Sequence, residues 1–282
     1  MRGPGRRAPA SLAVSLIAVL ASFFLTPLAF ALELQGEAVQ GGLIFGQTAP
    51  GSTVTFDGRD IMVSDEGRFV VGFGRDDTGT VELAVTAPGA EPDVRQLSIA
   101  LREYNIERID GLPPSSVTPP PEVLERIRRD SAMVGQARQR RDARTDWTAG
   151  FEWPATGRIS GVYGSQRVLN GEPRRPHYGI DIAAPDGTPV LAPAPGIVTM
   201  AEADLYYSGG TLILDHGQGL SSTFLHLSAL SVAVGDTVNA GDKIGEVGST
   251  GRSTGPHLDW RMNWLNKRVD PQPLVGPMGT AE

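Results

Sequence analysis

The chain has 282 residues, a net charge of -7 and no cysteine. Without thiols it forms no disulfide and offers no thiolate ligand, so any bound metal must rely on His, Asp, Glu or water. Its acidity argues against nucleic acid or an anionic lipid surface as a partner of the whole body.

Residues 1–31 read as a secretory signal peptide. Arg2, Arg6 and Arg7 precede the uncharged run "SLAVSLIAVLASFFLTPLAF", and Ala29-Phe30-Ala31 has the small-x-small form of a cleavage site. The expectation is a periplasmic or secreted protein with no stable membrane span after removal of the leader. That removal takes away three arginines and no acid, so the charge becomes -10.

Residues 32–104 read as an immunoglobulin-like β-sandwich. Small and β-branched residues alternate with polar ones, and Asp57-Gly58, Glu66-Gly67 and Thr78-Gly79 fall at hairpin-like intervals. No histidine occurs here, and what the module binds is not legible. Residues 105–149 join a Pro-rich linker, "GLPPSSVTPPP" (Gly111 to Pro121), to a basic helix. From Glu122 to about Arg144 the pattern is helical: Val123, Leu124, Ile127, Val134 and Ala137 make a thin apolar stripe, and seven arginines cover the rest. Such a helix either touches an anionic wall polymer or lipid headgroup or, in the favoured reading, is a solvated connector.

Residues 150–275 are Gly- and Pro-rich strand-turn-strand units without a long helical period, as in small antiparallel β architectures. All four histidines, His177, His216, His226 and His257, lie here. In "PHYGIDIAAP" the β-branched isoleucines favour a strand that puts His177, Gly179 and Asp181 on one face, with the glycine leaving room above it. In "GPHLDWRMNW" the residues His257, Asp259, Arg261 and Asn263 alternate with Leu258, Trp260, Met262 and Trp264, giving one polar and one apolar face. "TFLHLS" adds a strand with Phe224, His226 and Ser228 on one side. His216, in the turn "DHGQG", reads as structural.

"HYGID", "STFLHLS" and "GSTGRSTGPHLDW", with the glycine-rich "VGDTVNAGDKIGEVGSTG" between, resemble the lysostaphin-like (LytM-type) zinc endopeptidases of bacterial cell walls. The resemblance implies a mainly β metallopeptidase domain related to the barrel-sandwich folds. "PVLAPAPGIVTMA" shares that architecture with lipoyl carriers, but no lysine stands at the matching turn. It further implies one Zn2+ per chain held by His177 and Asp181, with His226 and His257 catalytic. The third ligand of the family is a histidine; Asp259 stands at that position. One imidazole and two carboxylates would neutralise the ion, weaken its polarising power and admit Mn2+ or another hard divalent ion. The activity implied is hydrolysis of peptide bonds in peptidoglycan stems or crosslinks. The alternative is a catalytically impaired domain that binds the wall or activates a separate cell-wall amidase. Arg174 and Arg175 either steer stem-peptide carboxylates or form a plain basic loop.

Overall fold

A computed structural model describes residues 31–110 and 121–278. The leader, apart from Ala31, and linker residues 111–120 lie outside the described residues. Among those described, no helix is long and apolar enough to cross a membrane.

The alternating N-terminal segment forms two antiparallel sheets. Glu33–Gly36, Leu43–Gln47 and Arg68–Gly72 make one; Arg59–Ile61, Thr53–Phe56, Thr80–Thr86 and Asp93–Ser98 make the other. Asp57-Gly58 is the two-residue turn expected of it: Phe56 pairs with Arg59, and both turn residues have positive φ (51° and 69°). Phe56, Phe69, Phe73 and Leu83 fill the space between the sheets. This core continues into the C-terminal half, where the Phe56 ring meets Trp264 edge-on at 5.9 Å. Arg102 donates to the buried Asp270 carboxylate at 2.8 Å across the same boundary. In the stretch expected to connect the two halves, Ile106–Ile109 is a strand, paired in parallel with Gln166–Leu169.

The C-terminal half is built on one large sheet. Its order is Thr237–Val238, Gly196–Leu205, Gly209–Asp215, Leu220–Leu227, Leu258–Trp264, Gly179–Ala183, Arg158–Gly161, with Lys267–Val269 also paired to Leu258–Trp264. Residues 209–215 and 220–227 run through the middle of the sheet and are buried throughout. The apolar face of Leu258–Trp264 is core: Leu258, Trp260, Met262 and Trp264 are all buried.

The basic helix is shorter than its composition implies and is not a free connector. It spans Leu124–Ala137 after a short 3-10 turn. Beyond it Arg140 and Arg144 leave the helical path to meet the carboxylates of Asp142, Asp146 and Asp215. Met133, Val134 and Ala137 pack on Met200, Leu205 and Ile213 of the large sheet. Asp130 reaches the same strand end, accepting from the Tyr206 N–H at 2.8 Å. A three-residue stripe suffices because the arginine stems and Asp130 complete the contact.

Candidate metal centre and its guanidinium

Cross-strand register assembles the site. Asp181 stands directly opposite Asp259, and Gly179 opposite Arg261. Facing carboxylates repel, so this pairing calls for a cation beside it. His177, just before the strand, brings Nε2 to 3.2 Å from Asp181 Oδ1. Both atoms are buried and neither makes a hydrogen bond. One donor atom each from His177, Asp181 and Asp259 lies within 4.8 Å of the others. The backbone leaves no slack here: a Cβ on Gly161 would come within 2.3 Å of Asp181 Oδ2.

Two further imidazoles adjoin the cluster. His257 donates from Nδ1 to the Gly255 carbonyl at 2.8 Å, which leaves Nε2 as an acceptor 3.8 Å from Asp181 Oδ1. His226 donates from Nδ1 to the Thr250 carbonyl at 2.8 Å, and its ring lies 4.8 Å from that of His257.

The expected placement of His226 on the same side of its strand as Phe224 is wrong. Phe224 faces Trp260 across the pair with Leu258–Trp264, inside the core. Simple alternation would send His226 to the same face. Instead His226 has φ +65°, and the register with Gly209–Asp215 shifts between Gly210 and Leu212. The irregularity breaks the period of two and carries the imidazole to His257. Left-handed backbone at a bulky residue is costly and is concentrated at functional sites.

His216 sits apart from these residues and is fully buried. It donates from Nδ1 to the Pro195 carbonyl at 2.7 Å and accepts at Nε2 from the Ser222 hydroxyl at 2.8 Å. Burial pushes its pKa down to about 4, so it is a neutral structural histidine.

The residue that changes the chemistry is Arg261. Its Nε donates to Asp259 Oδ1 at 2.9 Å and its Nη2 to Oδ2 at 2.5 Å, a two-pronged pair. The space provided by Gly179 is filled by this pair: a Cβ there would lie 2.6 Å from Arg261 Cγ and 2.7 Å from Asp259 Oδ1. Asp259 is only 3% exposed. Burial alone would raise its pKa, but Arg261 holds the carboxyl below its usual range. Burial likewise pulls the His177 pKa down, and the Asp181 and Asp259 carboxylates more than offset it, so the net direction is upward.

The donors therefore fit a catalytic zinc only in part. His177 and Asp181 aim unpartnered atoms into a shared space, as ligands would. Asp259, the third member of the set, shares both its oxygens with a guanidinium. Arg261 places one cation beside the two facing carboxylates. Sequence reasoning put Arg261 on the polar face without assigning it a partner, although its place two residues from Asp259 on that face was the available signal. Arg174 and Arg175 flank the site: Arg174 has a buried Nε without a partner, and Arg175 is exposed.

Comparisons with known proteins agree with this architecture. A sequence model of peptidase family M23 matches residues 175–271. The chain is 43% identical over 120 residues to the DD-carboxypeptidase/endopeptidase Mpg of Neisseria meningitidis, covering 43% of this chain and 27% of that one. It is 36% identical over 121 residues to the peptidoglycan DD-endopeptidase ShyA of Vibrio cholerae, covering 40% of this chain and 28% of that one. The chain thus spans about a quarter of the length of these curated relatives. A crystal structure from Pseudomonas aeruginosa assigned to peptidase M23 superposes with a TM-score of 0.66 at 30% identity, covering 85% of this chain and 96% of that one. With that breadth of match, the chain belongs to peptidase family M23.

Proposed function

We propose that this protein is an exported M23 protein that engages peptidoglycan without hydrolysing it. In this reading residues 32–104 form a sandwich module that packs on residues 150–275, the wall-directed domain. One observation carries the reading: the fork of Arg261 on Asp259, which occupies the third ligand and provides the site's positive charge. A guanidinium neutralises the carboxylates but has no open coordination position. It neither activates water nor polarises a carbonyl as a Lewis acid does. The retained cleft then serves recognition, either holding the wall or presenting it to a separate amidase. Peptidoglycan as the target comes from the relatives that share the domain, one of which is a peptidoglycan DD-endopeptidase.

A hydrolytic reading draws on the juxtaposed His226 and His257, whose Nε2 atoms are left as acceptors. It requires Arg261 to leave Asp259. Co-sedimentation with purified sacculi, followed by analysis of released muropeptides with and without Zn2+, separates the two. Retention on sacculi with no release, identical in wild type and His177→Ala, is expected. Release that needs His177 would overturn the proposal.

A further inference from the structure

Residues on the polar face next to the cluster are adjacent by register. Thr223 stands opposite Arg261, and Asn263 opposite Arg268. Over this face two more arginines converge. Arg138, immediately after the helix, donates from Nη2 to Thr223 Oγ1 at 2.9 Å. Arg268 donates from Nη1 to Asn263 Oδ1 at 2.6 Å. Arg138, Arg261 and Arg268 are all partly buried, and Arg138 Nε is fully so, with no hydrogen-bond partner.

Their charge is not balanced. Arg261 is committed to Asp259, whereas neither Arg138 nor Arg268 makes an ion pair among the described residues. Each is matched only by a neutral oxygen. Burial, with the charges of Arg268 and Arg261, pushes the Arg138 pKa down to about 8; burial, with Arg261 and Arg175, pushes that of Arg268 down to about 10. Converging guanidiniums held out of water without an anion are costly, and their unused N–H groups offer the forked geometry that suits a carboxylate.

We infer that Arg138 and Arg268 form an anion subsite beside the His177–Asp181–Asp259 cluster, and that its ligand is a carboxylate of a peptidoglycan stem peptide. The inference rests on the wall-binding reading and names what that cleft recognises. The helix then has a function beyond connection, because its end delivers one of the two guanidiniums. Arg175, whose charge is felt at Arg268, and its neighbour Arg174 extend the positive field by which such a peptide is drawn in.

The test is calorimetric titration of the full chain with a synthetic stem pentapeptide bearing free carboxylates, with the same peptide fully amidated, and with inorganic phosphate. The free peptide should bind wild type. Amidation, Arg138→Gln or Arg268→Gln should each weaken it about tenfold or more, and phosphate should bind far more weakly than the peptide. Glutamine retains a donor for Thr223 or Asn263, and each variant relieves uncompensated charge, so neither should melt below wild type. No binding of the free peptide, equal binding of the amidated one, phosphate binding as tightly as the peptide, or full affinity in the double variant would overturn the subsite. Co-sedimentation with sacculi is scored separately. Sacculus binding that survives in the double variant, with no carboxylate dependence, rejects the subsite and leaves the wall reading standing. Failure of wild type to sediment rejects the wall reading itself.

Discussion

Replacing Arg261 by methionine tests how the site is held together. The change keeps much of the stem that packs over Gly179 and removes the guanidinium from Asp259. The carboxylate, 3% exposed in wild type, faces Asp181 across the strand pair and loses its forked partner. Deleting one partner of a buried pair costs about 3–5 kcal/mol, which for a chain of this size lowers Tm by roughly 10 °C. The freed oxygens then join the orphaned His177 Nε2 and Asp181 Oδ1 as a complete donor set. Zinc at about a hundred times its Kd should return about 2.7 kcal/mol through binding to the folded state alone. Thermal unfolding followed by circular dichroism, with EDTA and with a zinc titration, reads both effects. Arg261→Met should melt low in EDTA and recover with zinc, while wild type should barely respond. Arg261→Lys, which retains the charge but not the fork, should fall between them and ignore zinc. A variant as stable as wild type in EDTA, or wild type gaining as much from zinc, would refute the reasoning.

Three other perturbations address separate parts of the account. Because His226 is held at φ +65°, His226→Gly should be more stable than His226→Ala by about 1 kcal/mol, the reverse of the usual strand order, as measured by urea unfolding. His216 has a folded pKa near 4 against about 6.5 unfolded, so its contribution is intact above pH 6.5 and is lost as pH falls toward 4. Between those limits wild type should lose about 3 kcal/mol more than His216→Gln, read from unfolding curves across the range. Arg102→Ala leaves the Asp270 carboxylate buried with only the Gln272 N–H, and should cost about 3 kcal/mol in the same assay, whereas Arg95→Ala on the exposed sheet should cost under about 1.

Much of this molecule is legible in period and punctuation. Strict alternation over residues 257–264 places Trp260 and Trp264 in the core and Asp259 with Arg261 on the other face, as observed. Asp57-Gly58 makes the hairpin its type demands. Local exceptions were hidden. Nothing in "TFLHLS" marks the left-handed residue that turns His226 away from Phe224, because a bulge is a property of the pairing and not of one strand. The fork on Asp259 was half visible: residues two apart share a face, but the bend of a long side chain back onto its neighbour depends on the space above Gly179. Docking of the helix through Met133, Val134 and Ala137, and with it the arrival of Arg138 at Thr223, depends on a tertiary surface that its thin stripe does not announce.

The central claim is that a side chain stands in for the metal. Zinc content of the full chain, purified without chelator and dialysed against micromolar zinc, reads this directly by elemental analysis alongside His177→Ala and Arg261→Met. Wild type and His177→Ala should both carry far less than one ion per chain, and Arg261→Met close to one. A full equivalent of zinc in wild type that disappears in His177→Ala would contradict the account.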